Sequence, residues 1–352
     1  MHAASPSAAH RSVRQPVALA MVALAGVAAC GSGPENPLAL DERLCPVVGS
    51  GVTQGGQGSF TDDAAPVQRR IVLMGGGPED DGASRGFVEA AGGGDVLIMR
   101  ARGSTTSYPN YFMQELGSDP RPNAAVTVRL DVAAGGANPG VLCRVQHAEA
   151  IWIAGGNQWD YLGLWPTTLH DQLSASANRQ IAIGGTSAGA MSLGEGAFDA
   201  REGSVTSTEA LADPLRTDVS VSLSPFGQPE LEGVLVDTHF SERDREGRLL
   251  AFLARFSLLV ESAPIRGIGL DEGTAITVHD GTFTVSGPTS TAAAWIYQYA
   301  GTPSLASGTP LSLDAVQRVR LAPGDTGAWP VDLSMWPVDS LAVIEGNIVR
   351  AP

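Results

Sequence analysis

A serine lies between two glycines directly after a short strand-like segment, in the run Ile181-Ala182-Ile183-Gly184-Gly185-Thr186-Ser187-Ala188-Gly189-Ala190. A β-branched strand that leads into Gly-x-Ser-x-Gly and then into small residues predicts a nucleophile elbow. The flanking glycines remove the Cβ atoms that would clash in so strained a turn. The turn aims the backbone N–H of Ala188 and a helix N-terminus at the group under attack. We therefore expect Ser187 to form an acyl-enzyme. The alternative is a purely structural glycine-rich turn.

A second match to Gly-x-Ser-x-Gly lies earlier, in Gly82-Ala83-Ser84-Arg85-Gly86. A loop separates it from the preceding predicted strand, Ile71–Met74, so the strand-to-turn layout of an elbow is missing. We interpret Ser84 as a helix N-cap, a position that serine favours.

A serine nucleophile needs a base, and four histidines follow the first thirty residues. His239 lies just past the end of a predicted strand, at the same edge of the sheet as the candidate nucleophile. His147 precedes its strand, His170 lies on a helix face, and His279 lies in a hairpin turn. Position therefore favours His239 as the general base, and the alternative is a structural histidine at the rim.

A third group must hold the imidazole in the productive tautomer. The candidates after the elbow are Glu195, Asp199, Glu202, Glu209 and Asp213. Glu195 is predicted to point away, two turns into the helix that leaves the elbow. Glu209 lies in a polar loop that can fold back over the rim, so it is the first choice and Glu202 is the second.

Three arginines follow the candidate base closely, at Arg243, Arg245 and Arg248. One interpretation is a solvated helix start with alternating charges. The other is a set of guanidinium groups that bind substrate carboxylates in the bidentate manner that arginine allows.

The composition excludes several functions. The net charge of −15 argues against a nucleic-acid partner. All 22 basic residues are arginine, which removes Ser–Lys dyads, Schiff-base chemistry and a phosphate-binding Walker lysine. No cluster of cysteine and histidine has zinc spacing. We expect neither a metal nor a cofactor.

The first thirty residues have the pattern of a targeting segment. Arg11 and Arg14 form a basic region, and an apolar region follows that is too short to span a bilayer comfortably. Small residues directly before Cys30 resemble a bacterial lipobox, which predicts a lipidated Cys30 at the start of the mature protein. The alternative is an ordinary secretory signal. We expect an exported, membrane-anchored lipoprotein that faces the periplasm or the exterior, attached to the membrane through its lipid only.

The remaining cysteines, Cys45 and Cys143, would pair in an oxidising compartment or stay as free buried thiols, and the sequence leaves both open.

The rest of the chain divides by composition. Residues 31–68 are rich in Gly, Pro, Ser and Asp and predict a flexible tether. In residues 69–300, short apolar runs alternate with segments of helical spacing. This alternation predicts an α/β domain with a doubly wound, mostly parallel sheet flanked by helices. Residues 301–352 predict a β-rich antiparallel extension of the same domain. Sites of such sheets form at the carboxyl ends of the strands.

Four motifs in this order resemble the cyanophycinase and dipeptidase E group of serine peptidases, over roughly Arg70 to Val278. They are Gly155-Gly156-Asn157-Gln158, the elbow, Asp237-Thr238-His239-Phe240 with the three arginines, and Gly267-Ile268-Gly269-Leu270-Asp271-Glu272-Gly273-Thr274-Ala275. The resemblance implies a fold similar to class I glutamine amidotransferases.

The resemblance also implies an activity, the cleavage of the β-aspartyl-arginine polymer cyanophycin. It makes Ser187 the nucleophile, His239 the base and an acidic residue of the loop after the elbow the third member. The backbone N–H groups of Gly156 and Ala188 would form the oxyanion hole. The residues implied in the substrate pocket are Gln158, Asp237, Arg243, Arg245 and Arg248.

The chain departs from that group at Thr238, where cyanophycinases usually carry Gln. The departure leaves open a peptidase for other acidic or β-aspartyl peptides. A catalytically inactive lipoprotein binding module is a further alternative, and the intact Ser187 and His239 argue against it. A homodimer is left open.

Overall fold

The fold is mixed α/β, and its strands lie in two sheets. The structure is a computed structural model, and it describes residues 44–61, 66–261 and 264–350. The strands are β1 (Val52–Gly58), β2 (Ile71–Met74), β3 (Asp95–Arg100), β4 (Ala124–Leu130), β5 (Ala150–Ile153), β6 (Ala182–Thr186), β7 (Gly196–Phe198), β8 (Val221–Leu223), β9 (Val234–Thr238), β10 (Ile265–Leu270), β11 (Ala275–His279), β12 (Thr282–Ser286), β13 (Ala294–Tyr299), β14 (Leu313–Leu321), β15 (Thr326–Ala328), β16 (Val338–Ile344) and β17 (Asn347–Arg350).

The helices lie mainly between the strands of the first two thirds of the chain. The α-helices are α1 (Asp81–Glu89), α2 (Ser107–Asn110), α3 (Pro139–His147), α4 (Gln158–Leu162), α5 (Thr167–Ser174), α6 (Ala188–Met191), α7 (Ser207–Ala212) and α8 (Glu246–Phe256). Shorter 3₁₀ or π turns lie at Tyr111–Glu115, Ala133–Ala137, Pro229–Leu231 and Leu333–Met335. In the described part of the chain, no helix has both the length and the apolar character to cross a membrane.

The first sheet contains nine strands in the order β1-β4-β3-β5-β6-β2-β11-β12-β15. The five strands from β4 to β2 run parallel to their neighbours. The outer strands on both sides are antiparallel. The side chains of β2 and β5 are buried throughout, as expected for strands that are covered on both faces.

The second sheet contains eight strands in the order β17-β16-β14-β13-β10-β9-β7-β8. The strands β10, β9 and β7 are parallel, and the others are antiparallel. Helix α8 covers one face of this sheet, and its apolar side chains are buried there. Gly267 of β10 makes room for it: a Cβ there would lie 3.0 Å from Leu253 and 3.2 Å from Leu249.

The predicted α/β class is confirmed, but the expectation of one mostly parallel sheet is wrong in its extent. The strands after the elbow, β7 to β10, build a second sheet, and the last fifty described residues add strands to both sheets. A short apolar run predicts a buried strand but carries no signal of the sheet that the strand joins. The doubly wound arrangement similar to glutamine amidotransferases stays a prediction.

The end of the predicted tether is ordered structure. Strand β1 pairs along its whole length with β4, Phe60 is 1% exposed, and Cys45 forms a disulfide with Cys143 of α3. This corrects the prediction of a flexible tether for residues 44–61. The predicted signal peptide with Cys30, and the tether up to residue 43, lie outside the described residues.

Candidate active site

Ser187 occupies a strained turn between β6 and α6, with φ 51° and ψ −122°. Its N–H donates to the Met74 carbonyl at 3.0 Å. Both flanking glycines are required sterically: a Cβ on Gly189 would lie 2.0 Å from the Ile153 oxygen, and one on Gly185 would lie 2.7 Å from the carbonyl carbon of Gly189. The sequence therefore folds here as the elbow pattern predicts, with the serine held at the carboxyl end of a parallel strand.

His239 contacts the serine directly. Its Nε2 lies 2.8 Å from the Ser187 Oγ, and it is the first residue after β9, with φ 49°. Its own N–H donates to the Gly75 carbonyl at 2.8 Å. Two other histidines have structural partners instead. The His170 Nε2 donates to the Tyr161 carbonyl oxygen at 2.8 Å, and the His279 Nδ1 donates to the Arg69 carbonyl oxygen at 2.7 Å.

The carboxylate beside the histidine belongs to Glu272. Its Oε1 lies 2.5 Å from the His239 Nδ1. Strands β9 and β10 are parallel neighbours, with Thr238 opposite Leu270. Their next residues therefore leave the same sheet edge together, and Glu272 reaches the imidazole.

The choice of Glu209 as this acid is wrong. Glu209 forms a capping box at the start of α7, where its Oε2 accepts from the Thr206 N–H at 3.0 Å, and its side chain is 44% exposed. Glu202, the second choice, lies exposed in a turn. All acidic candidates named from the sequence lie between the serine and the histidine. The signal for Glu272 was present, because its motif follows the next predicted strand after that of His239.

Ser84, the alternative serine, is fully buried inside α1. The N-cap of that helix is Asp80, which accepts from the Ala83 N–H at 2.7 Å. Ser84 therefore neither caps the helix nor reaches a substrate.

The pKa of His239 lies below its ordinary value. Burial lowers it most, because the imidazolium loses hydration, and the hydrogen bond to Glu272 opposes that shift. The positive charges of Arg243 and Arg245 lower it further. His239 is therefore neutral at neutral pH, as a general base must be.

A cavity of about 230 Å³ opens in front of the serine. The predicted site residues that line it are Gly156, Gln158, Ser187, His239, Arg243, Arg245 and Arg248. Gln158 donates from its Nε2 to the Met191 sulfur at 3.0 Å. The cavity thus brings together the amide, the nucleophile, the base and the three arginines.

Asp237 lies behind the arginines rather than in the cavity lining. It is fully buried, and the Arg248 Nε and Nη2 contact its two oxygens at 2.8 and 2.5 Å. The Arg245 Nη1 lies 3.4 Å from it and donates to the Thr238 carbonyl at 2.6 Å. The prediction that Asp237 binds substrate directly is therefore corrected: it holds the guanidinium groups in place.

The three arginines differ in how free they are. Arg248 is 2% exposed, and two of its guanidinium nitrogens are bound to Asp237. Burial lowers the pKa of Arg245 to about 10, and Asp237 opposes that shift. The Arg243 side chain is 52% exposed, and its Nη2 lies 3.9 Å from the Glu272 Oε1. Arg243 and Arg245 are therefore the cations best placed to meet a ligand.

The predicted oxyanion donors flank the serine. Ala188 begins α6 directly after it. The neighbouring loop comes close as well, because a Cβ on Gly155 would lie 3.4 Å from the Ser187 Cβ. Gly156 lines the cavity, and a Cβ there would lie 2.3 Å from the Tyr161 hydroxyl. Only glycine fits so near to the cavity wall.

Two further residues lie near the site: Gly76, in a glycine run that follows a predicted strand and is therefore expected at the same rim, and Glu79, which the sequence interpretation missed. Gly76, with φ 89°, packs against the imidazole: a Cβ there would lie 2.3 Å from the His239 Cε1. Burial raises the pKa of Glu79 to about 7, although hydrogen bonds with Tyr108 and Thr186 oppose the shift. Among the described residues, no group of three or more His, Cys, Asp or Glu side chains is arranged to hold a metal ion.

Residues 136–286 match the family model of peptidase family S51. The matched segment contains Ser187, His239 and Glu272. The S51 match supports a peptidase, and the family implies the serine type. No curated protein matches the chain.

Two solved structures resemble this chain. One is a peptidase from an acI-B1 Actinobacterium, with 19% identity, a TM-score of 0.47 and coverage of 74% of this chain and 96% of the other. The second is a putative peptidase E protein from Listeria monocytogenes EGD-e, with 13% identity, a TM-score of 0.41 and coverage of 63% and 100%.

Proposed function

We propose that the protein is an exported serine peptidase that hydrolyses cyanophycin or a related β-aspartyl peptide through Ser187, His239 and Glu272. The observation that carries the proposal is the continuous hydrogen-bonded chain from the Ser187 Oγ through both nitrogens of His239 to Glu272. That connectivity is the arrangement in which an acid orients a base and the base activates a serine.

The chemistry follows from the tautomer. Glu272 accepts from the Nδ1–H of His239, which leaves the Nε2 lone pair toward the serine hydroxyl. His239 takes the hydroxyl proton as the Ser187 Oγ bonds to the scissile carbonyl carbon. It then gives the proton to the leaving amine as the C–N bond breaks. Water, activated in turn by His239, hydrolyses the acyl-enzyme and regenerates the serine.

The oxyanion of the tetrahedral intermediate would be stabilised by the backbone N–H groups of Gly156 and Ala188. The support is their position on either side of the serine, one in the cavity lining and one at the start of α6. Preorganised donors of this kind are worth about 10²–10³ in kcat each.

The substrate assignment rests on the cations of the cavity. Arg243 and Arg245 would bind a carboxylate of the substrate, Gln158 would donate to a backbone carbonyl, and Asp237 would fix Arg245 and Arg248 from behind. A ligand with free carboxylates, such as a β-aspartyl peptide, matches this set of donors.

A peptidase for other acidic or β-aspartyl peptides is the second candidate, and Thr238 favours it. Thr238 is fully buried and does not line the cavity. The pocket therefore receives no amide from the position where the resemblance implies glutamine, and one substrate contact would be absent.

Export is proposed from the first thirty residues, with Cys30 as the lipidated residue. The Cys45–Cys143 disulfide supports it, because disulfides persist in oxidising compartments. Replacing Cys30 by alanine should move the protein from the membrane fraction to the soluble fraction. Unchanged membrane association would reject the anchor.

The activity test uses purified protein with insoluble cyanophycin and, in parallel, a panel of isoaspartyl and ordinary acidic dipeptides. Release of β-aspartyl-arginine would support the first candidate, and cleavage of the panel alone would support the second. Ser187→Ala is the control and should lose turnover by several orders of magnitude. No hydrolysis of any substrate by the wild-type protein would favour the binding module.

A further inference from the structure

A second cavity, of about 380 Å³, lies in the second sheet, remote from the serine. Arg266, at the amino end of β10, lines it, whereas Glu272 follows the carboxyl end of the same strand. A strand rises about 3.3 Å per residue, so about 13 Å separates Arg266 from Leu270 at the other end of the strand, and the two cavities share no lining residue. The cavity is therefore not an extension of the candidate active site.

Arg266 has no partner within the described residues. No hydrogen bond or ion pair to its guanidinium exists there, and its Nε is buried without an acceptor. Burial lowers the pKa of Arg266, and no neighbouring carboxylate offsets the shift. A buried donor without an acceptor is costly, so this guanidinium is a ready site for an anion.

The strand register places two amides beside the guanidinium. Arg266 of β10 lies opposite Gln298 of β13, and Gln298 lies opposite Gln317 of β14. Residues that are directly opposite in a sheet project from the same face, and all three side chains line the cavity. One N–H of Gln298 donates to the Gln317 Oε1 at 3.4 Å, so the row offers one cation and the remaining amide N–H donors to a single bound group.

The other wall carries a negative charge. Asp332 lines the cavity, and its Oδ1 accepts from the N–H and hydroxyl of Ser334 at 3.0 and 2.7 Å. These hydrogen bonds lower the pKa of Asp332, so it stays ionised. Its Oδ2 accepts no hydrogen bond from the described residues and is free for a cationic group.

We propose that this cavity binds a small zwitterion of the amino-acid or dipeptide class, with its carboxylate on Arg266 and the glutamine amides and its ammonium group on Asp332. An unpartnered cation and a free carboxylate oxygen line the same cavity, which matches a ligand that carries both charges. The volume suits such a ligand, since small-molecule pockets are commonly about 300–1,000 Å³.

The test is calorimetric titration of the full-length protein with L-alanine, L-alanyl-L-alanine, N-acetyl-L-alanine and L-alanine amide. The first two probes decide the size of the ligand, and the last two each lack one charge. We expect one of the zwitterions to bind at least tenfold more tightly than either singly charged probe. Arg266→Leu should abolish that binding while the turnover number of the peptidase stays unchanged.

Arg121→Leu is the matched control, because Arg121 is an exposed arginine that does not line this cavity. It should bind like the wild type. Arg266→Gln repeats the test if the leucine variant does not fold, as judged by near-ultraviolet circular dichroism. Absence of zwitterion binding, binding that survives both Arg266 variants, or equal affinity for N-acetyl-L-alanine would each overturn the proposal. None of these outcomes depends on the Ser187 chemistry.

Discussion

His239 is held from three sides, and each contact limits what the ring can do. Nε2 faces the Ser187 hydroxyl, Nδ1 faces Glu272, and the ring edge lies against Gly76. A rotation of the imidazole would break both hydrogen bonds at once. The residue therefore behaves as a base of fixed tautomer and fixed direction.

The lowered pKa of His239 predicts the acid limit of activity. The neutral ring is required, so kcat/KM should fall as pH drops through the pKa of the free enzyme. We expect a midpoint below the ordinary histidine value of about 6.5. Arg243→Ala should move the midpoint to higher pH, because a positive charge that disfavours the imidazolium is removed. The measurement is kcat/KM from pH 4 to 8.

Glu79→Gln is the control for that profile. Burial raises the pKa of Glu79 to about 7, so a limb that belonged to Glu79 would have a midpoint near neutrality and would vanish in this variant. A limb that belongs to His239 lies lower and persists. Loss of the limb in Glu79→Gln would reject His239 as the group that sets the acid limit.

Glu272→Gln should impair turnover far more than Glu209→Gln. An amide at position 272 cannot favour the Nδ1–H tautomer, and the same change in a Ser-His-Asp triad lowers kcat by about 10⁴. Glu209 lies in a capping box away from the imidazole, and glutamine can fill the same position of a capping box, so its variant should keep its kcat and nearly all of its stability. The check is kcat for both variants, with thermal unfolding beside it. A larger kcat loss in Glu209→Gln would restore the original assignment.

At the scale of elements, patterns with a local cause were predictable from the sequence. The elbow is predictable because the motif itself contains the two glycines that the turn around Ser187 requires, and a Cβ at either position would clash with neighbouring backbone atoms. His239 is predictable because the apolar run before it indicates a buried strand, and the histidine lies just past the end of that strand. Glu272 was missed because its proximity arises from the parallel pairing of β9 and β10, which no local pattern contains.

Strand β1 was missed for a similar reason. Its sequence, Val-Thr-Gln-Gly-Gly-Gln-Gly, is poor in the β-branched and aromatic residues that favour strands. It is a strand because its backbone pairs with β4, from Val52 opposite Leu130 to Gly58 opposite Ala124. Tertiary pairing outweighs propensity here, and composition alone indicated a flexible segment.

The turn after β2 gives a prediction that distinguishes backbone strain from a steric clash with the His239 ring. Gly76 and Gly117 both have positive φ, at 89° and 65°. A Cβ on Gly76 would overlap the His239 ring, whereas one on Gly117 would meet nothing within 4 Å. Gly76→Ala should therefore lose most of its activity. Gly117→Ala should lose only the stability that left-handed backbone costs, about 1–2 kcal/mol, and should keep its kcat. Equal kcat values in the two variants would show that Gly76 does not position the ring.

At the scale of the whole molecule, the segment that matches family S51 contains only some of the strands of the two sheets. Strands β1 to β4 precede residue 136 and β13 to β17 follow residue 286. The first sheet takes β2, and with it Gly76, from outside the match. The second cavity is lined mainly by residues beyond the match. The segment before the match therefore contributes Gly76 to the candidate active site, and the segment after it forms most of the second cavity.

The disulfide ties the first described residues to helix α3. Cys45 and Cys143 are 98 residues apart, and a cross-link that closes a loop of about 100 residues removes about 4.7 kcal/mol of unfolded-state entropy in the chain-entropy model. Measured effects are smaller, so we expect a Cys45→Ser, Cys143→Ser variant to lose about 2–4 kcal/mol. Urea unfolding with and without reductant measures it: reduction should lower the midpoint of the wild type and leave the double variant unchanged. The bond lies away from the residues that line the active cavity, so the folded variant should keep its kcat. A wild-type midpoint that does not respond to reductant would mean that the thiols are not paired in the folded protein.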